Sequence, residues 1–289
     1  MNKNNRNIVL TGIARSGTTL VCYLLNKLPD VVALHEPIRF KKLVKLGSPE
    51  KIVEGVAQFY AGTRHSILRY GAAISKNRNG RIPDNPFGNR LEKDGIRLDD
   101  QEKSQIIIDK AVSEEFLLCV KHPGPFTALL KWLQPKFSCF ATIRNPLSIL
   151  ASWNSVEIPE REGYPSHAVQ KIEPSLMNHL QTIESKYERQ IYLLDWYFSQ
   201  YQKYLPEDRI IRYEEIIQTQ GQCLRVIASQ AKTLKEPLTS KNKNRLYDSN
   251  LMQHLQELLL KADGAFWHFY SKKEVEMIFQ DDAKTVEQR

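Results

Sequence analysis

The chain has 289 residues, 42% of them hydrophobic and 26% charged, which suits one large α/β domain and excludes a disordered chain. The formal net charge of +8 favours an anionic ligand, while the scatter of the basic residues argues against a nucleic-acid-binding tail or stripe. Four cysteines lie far apart (Cys22, Cys119, Cys139 and Cys223), with no C-x-x-C pair, which argues against a disulfide framework or a zinc site.

In chain order, residues 1–7 lead straight into the apolar run Ile8-Val9-Leu10, which reads as a buried strand. That leaves no room for a signal peptide, and no apolar run approaches membrane-spanning length, so a cytoplasmic protein without membrane insertion is expected. Leu20, Val21, Leu24, Leu25 and Leu28 then recur at helical spacing up to Pro29. Between strand and helix lies Gly12-Ile13-Ala14-Arg15-Ser16-Gly17-Thr18-Thr19. A strand that turns through two glycines into a helix can cradle a phosphate, because the first helical N–H groups and the helix dipole face the anion. The G-x-x-x-x-G spacing is that of a P-loop, but Thr18 stands where a P-loop carries lysine, and the cation is Arg15 instead. Magnesium-dependent NTP hydrolysis is therefore not expected. Binding of a 5′-phosphate group by the backbone with Arg15, Ser16, Gly17, Thr18 and Thr19 is.

Residues 31–34 read as a second strand, ending at His35-Glu36-Pro37. Strand, helix, strand implies a parallel sheet with ligands at the carboxyl ends of its strands, so Arg15 and Glu36 should face one crevice. Residues 41–104 show a weaker pattern, and 77–90 are rich in turn-forming and basic residues. They read as an insertion, either a lid over the site or a solvated loop. Further strands are expected at 116–121, 137–143 and 209–213. Helices are expected at 125–133, from Asn145-Pro146, over 174–204, at 222–231 and at 246–261. A polar, frayed end is expected at 280–289. The whole reads as one α/β domain, 1–289, a three-layer sandwich around a central, mostly parallel sheet with helical insertions.

Arg144 ends a strand, with Ser148 and Ser152 four and eight residues on, along one face of the next helix. Such an arginine and its serines can grip a phosphate by charge-assisted hydrogen bonds. Together with Arg15-Ser16-Gly17-Thr18-Thr19-Leu20, this pattern resembles the P-loop-like sulfotransferases, which use 3′-phosphoadenosine 5′-phosphosulfate (PAPS) as donor and release adenosine 3′,5′-bisphosphate (PAP). Lys121-His122-Pro123 is similar to that family's strand ending in lysine, and Arg212-Tyr213-Glu214-Glu215-Ile216 to its Tyr-Glu segment. The resemblance covers residues 8–36 and 116–217. It implies a 5′-phosphosulfate loop at 12–19, a 3′-phosphate site at Arg144 and Ser152, and Tyr213 near the adenine. Lys241, Lys243 and Arg245 stand where a late basic loop would be, with only a loose match in spacing.

Sulfuryl transfer needs in-line positioning, stabilisation of spread negative charge and a base for the acceptor proton; arginine, lysine and backbone amides can carry the charge without a metal. Arg15 and Lys121 are the candidates for the charge. Glu36 is the favoured base, since branches of the resembled family that act on sugars or protein tyrosine carry a glutamate there. Its pKa is expected to rise toward neutrality in a crevice of low dielectric. His122 is the rival base and His35 a third candidate. The expected function is PAPS-dependent sulfation of a hydroxyl acceptor, a carbohydrate or small alcohol being favoured. The alternatives are a P-loop small-molecule kinase and a non-catalytic nucleotide-binding protein.

Overall fold

The computed structural model describes residues 4–91 and 95–280. Strand β1 (Asn4–Gly12) runs through the glycine loop into helix α1 (Thr18–Leu25). The helix stops short of Leu28. The Asn26 amide turns away to exchange two hydrogen bonds with the backbone of Ala33, at 2.8 and 2.9 Å, in β2 (Val31–His35).

A short α2 (Phe40–Leu43) precedes α3 (Pro49–Tyr70), a helix of 22 residues where the sequence shows only a weak pattern. Its start is set by the Ser48 cap and Pro49, and its end by Gly71 at φ 60°. Ile52, Val53, Val56, Tyr60, Thr63 and Ile67 form its buried stripe, and the Tyr60 hydroxyl donates to the Ile8 carbonyl at 2.6 Å. This part of 41–104 thus packs on the sheet. The rest forms two antiparallel ribbons: β3 (Ala72–Asn77) with β6 (Glu102–Ile107), and β4 (Phe87–Leu91) with β5 (Arg97–Asp99).

Beyond them come β7 (Leu117–Lys121), α4 (Pro123–Ala128) and α5 (Leu130–Leu133); these two helices are one expected helix, broken at Leu129. Then follow β8 (Phe137–Ile143) and α6 (Pro146–Trp153), where the Asn145 side chain caps the N–H groups of Leu147 and Ser148. Three helices lead on: α7 (His167–Ile172), α8 (Pro174–Thr182) and α9 (Lys186–Tyr204). Strand β9 (Ile210–Arg212) passes directly into α10 (Tyr213–Gln218). The helix expected at 222–231 is instead two tight turns, Gln222–Val226 and Ser229–Thr233, because Ile227 and Ala228 between them tuck into the core. The described chain closes with α11 (Ser249–Lys261), α12 (Phe266–Phe269) and α13 (Lys272–Gln280). The expected frayed tail at 281–289 lies outside the described residues.

The central sheet has five parallel strands in the order β2-β7-β1-β8-β9, flanked by helices. β2 and β8 are buried along their whole length, as strands covered on both faces must be. Register aligns the carboxyl ends: Lys121 stands beside both Leu10 and His35, Gly12 beside Thr142, and Ile143 beside Arg212. The glycine loop, Glu36, Lys121 and Arg144 therefore emerge along one edge. No helix among the described residues is long and apolar enough to cross a membrane.

Gly12 is the tightest point of this edge. It has φ 150°, and a Cβ there would lie 2.4 Å from Thr142 Oγ1 and 2.7 Å from the Thr142 carbonyl. Gly12→Ala is expected to destabilise the fold by about 1–3 kcal/mol, a fall of roughly 2–10 °C in Tm. Unchanged thermal unfolding would contradict this packing.

Candidate active site

The strand ends open into a cavity of about 1580 Å³. On one side lies the glycine loop. Gly17 takes a left-handed conformation (φ 93°) and no side chain caps the start of α1, so its first N–H groups face the cavity beside Thr18 and Thr19. The Ser16 hydroxyl points the other way, bonding the Thr142 carbonyl and hydroxyl at 2.8 Å each, and so braces the loop from beneath.

Three arginines converge here. Arg144 donates to Asn242 Oδ1 at 2.7 Å, to the Arg15 carbonyl at 3.1 Å and to the Lys241 carbonyl. Arg15 donates through Nε to Ser152 Oγ at 3.1 Å and through both terminal nitrogens to Asn85 Oδ1, and its guanidinium lies 4.6 Å from the centre of the Phe87 ring. Ser152 thus meets Arg15 rather than Arg144, while the Ser148 hydroxyl donates to the Asn242 carbonyl at 3.0 Å. Arg97 is buried with its Nε unpartnered. Among the described residues none of the three forms an ion pair with a carboxylate. Burial, then the charges of Arg97 and Arg144, push Arg15 down to about 10. Burial would raise the Tyr247 phenol beside them, but Arg144, a hydrogen bond with Ser152 and Arg15 together outweigh it and lower it. Like charges held together in a buried cluster favour the binding of an anion among them.

Tyr213 packs its ring on Gly17, where a Cβ would come within 2.8 Å of it, and lies 4.7 Å from the Arg144 guanidinium. Its hydroxyl accepts the Lys241 N–H at 2.9 Å. The late basic loop therefore does reach Arg144, through the backbone of Lys241 and the Asn242 side chain, while Lys241 and Arg245 line the cavity. Asn242 itself is tied to Glu214 at 2.8 Å.

At the other side stands Glu36, at φ 46° just past β2. Lys121 Nζ donates to Glu36 Oε1 at 2.8 Å and lies 2.9 Å from His35 Nε2, while Lys76 lies 3.2 Å from Glu36 Oε2. Burial would raise this carboxyl, but Lys121, His35 and Lys76 outweigh it and hold it well below the usual carboxylate range. This corrects the expectation of a raised pKa: Glu36 is an ionised carboxylate, its side chain still 26% exposed to the cavity. His35 is lowered to about 4 by burial and then by Lys121, so its ring is neutral. Burial likewise holds His122 far below the usual histidine range. Its Nε2 accepts the Ile38 N–H at 3.0 Å, and its ring meets Phe40 and Phe126 edge-on. The nitrogen that would take a proton is therefore engaged.

Sequence reasoning missed Lys76, Asn85, Phe87, Arg97, Asn242 and Tyr247. All but the last two come from residues 72–107, brought to the site by ribbon pairing that leaves no local pattern. It also missed Glu160, in the turn Pro159–Glu162, which is 6% exposed on the cavity wall. Burial, with the charge of Glu36 adding to it, pushes Glu160 up to about 7. An unfolded glutamate titrates near 4.5, so stability tied to the Glu160 proton is complete below about 4.5 and lost as pH rises through about 7. Glu160→Gln is therefore expected to match the wild-type Tm near pH 4.5 and to exceed it near pH 8, by about 1–3 kcal/mol in stability. A variant that loses ground as pH rises would contradict this.

No family model matches the chain, and no curated protein matches it. Among solved structures it is similar to the crystal structure of a sulfotransferase from Alicyclobacillus acidocaldarius, over 90% of this chain and 92% of that one, at 12% identity and a TM-score of 0.40. A likeness so distant leaves the chemistry of the site to its own residues.

Proposed function

We propose that the chain is a PAPS-dependent sulfotransferase acting on a hydroxyl acceptor, with a carbohydrate or small alcohol favoured. The supporting observation is the convergence of Arg15, Arg97 and Arg144, without carboxylate partners, on a glycine loop whose helix start is uncapped. Such a site suits a ligand with two separate phosphate-type groups. In this reading the loop backbone with Arg15, Thr18 and Thr19 holds the 5′ end of the donor, and Ser16 only braces the loop. Arg144, with Ser152 and the loop at Lys241 and Asn242, holds the 3′-phosphate, and the Tyr213 ring lies near the base.

The donor supplies a sulfuryl group that leaves its 5′-phosphate for the acceptor oxygen. Lys121 and Arg15 offset the charge that develops. Glu36 takes the acceptor proton. Any pull on Lys121 toward the anionic donor loosens its hold on Glu36 and raises the proton affinity of that carboxylate. The segment carrying Lys76, Asn85 and Phe87 serves as a lid that touches both halves of the site.

Incubation with radiolabelled PAPS and a cell extract tests this. Label should pass to a product hydroxyl and persist in EDTA. Transfer of label from γ-labelled ATP instead, lost on EDTA treatment, would identify a kinase.

A further inference from the structure

Away from the arginines, the cavity wall carries polar groups that donor binding does not use. Glu160 is nine-tenths buried, and no cation contributes to holding its charge. The Tyr197 hydroxyl, on α9, faces this carboxyl from a fully buried position yet makes no hydrogen bond of normal geometry. Ser166 precedes α7 but does not cap it, and its hydroxyl is also buried without a partner. The two hydroxyls converge on Gly124, where a Cβ would meet Tyr197 Oη at 3.2 Å and Ser166 Oγ at 3.4 Å. Gly124, Glu160 and Ser166 all line the cavity. Unsatisfied polar groups are rare inside proteins, and two buried hydroxyls without partners beside a buried carboxyl, at a wall lined by Gly124, Glu160 and Ser166, favour a ligand that completes them.

We propose that Glu160, Tyr197 and Ser166 form a second acceptor subsite that binds a neutral hydroxyl other than the one sulfated, so that the acceptor is a polyol rather than a simple alcohol. This rests on reading the cavity as a sulfuryl-transfer site. A hydroxyl can donate to the Glu160 carboxyl and accept from Tyr197 or Ser166. An anionic group at this wall would meet Glu160, on which no cation acts, and a cationic group would have to enter a cavity lined by many more lysines and arginines than carboxylates.

The test uses three ring compounds of similar size, myo-inositol, cyclohexanol and cyclohexylamine, titrated by ligand-observed NMR into the full chain with PAP present. Myo-inositol should bind about tenfold more tightly than cyclohexanol, and cyclohexylamine no better than cyclohexanol. Tyr197→Phe removes only a hydroxyl that makes no hydrogen bond of normal geometry in the fold; it should weaken inositol about three- to tenfold and leave PAP affinity unchanged. Glu160→Gln, folded by the same Tm criterion, should weaken inositol at least as much. Inositol binding no tighter than cyclohexanol, a preference for the amine, or an unaltered Tyr197→Phe would overturn the subsite. PAP binding is measured separately, and its failure would remove the sulfotransferase reading instead.

Discussion

Glu36→Gln is expected to slow sulfuryl transfer by about 10²–10⁴-fold, the usual size of a general-base contribution, while PAP affinity hardly changes. Gln keeps the shape and one acceptor but cannot take the proton. Because Lys121 and Lys76 hold the Glu36 carboxyl low in the free chain, the wild-type kcat/KM should fall only as pH drops through a value below the usual carboxylate range, and the variant should lose that acid limb. His122→Asn is the matched comparison. The His122 ring is neutral and its Nε2 is occupied by the Ile38 N–H, so this variant should lose stability more than rate. A near-normal rate in Glu36→Gln together with a dead but folded His122→Asn that still binds PAP would make His122 the base.

Arg144→Ala should weaken PAP far more than 5′-AMP, since only PAP carries the 3′-phosphate. Loss of a charge-assisted contact corresponds to about 1.5–3 kcal/mol, or roughly tenfold to a hundredfold and more in Kd. Some loss for AMP is also expected, because Arg144 supports the Arg15 carbonyl and thereby the shape of the glycine loop. Arg144→Lys keeps the charge without the fork and should fall between the two. Equal losses for PAP and AMP would remove the 3′-phosphate assignment.

The parts of this site that can be read from sequence are those built from short-range rules. The loop from Gly12 to Thr19 is set by glycine geometry and a helix start, and Arg144 and Ser152 by strand-end and helical spacing. Glu36 follows from the end of a recognisable strand. Its titration does not, because the groups that decide it, Lys76 and Lys121, lie 40 and 85 residues away and arrive by strand pairing. Arg144 and Ser152 read as one grip, yet Arg15 lies between them, a detail of side-chain direction that spacing does not fix. Helix α3 was obscured by its polar face and by the turn-rich residues that follow, although its buried stripe has helical spacing. Glu160 sits among Glu157, Arg161 and Glu162, a charged stretch with nothing local to mark it as buried. It is buried because Gln190 and Tyr197 of α9 pack against that turn, with Gln190 Nε2 bonding the Glu160 and Arg161 carbonyls.

The central claim is that the arginine cluster is built for a 3′,5′-bisphosphorylated adenosine. Calorimetric titration of the wild-type chain with PAP, 5′-AMP and magnesium-ATP tests it most directly. PAP should bind at least about tenfold more tightly than 5′-AMP, with no change on adding EDTA. Binding of PAP no tighter than 5′-AMP, with magnesium-ATP bound most tightly and lost in EDTA, would contradict it.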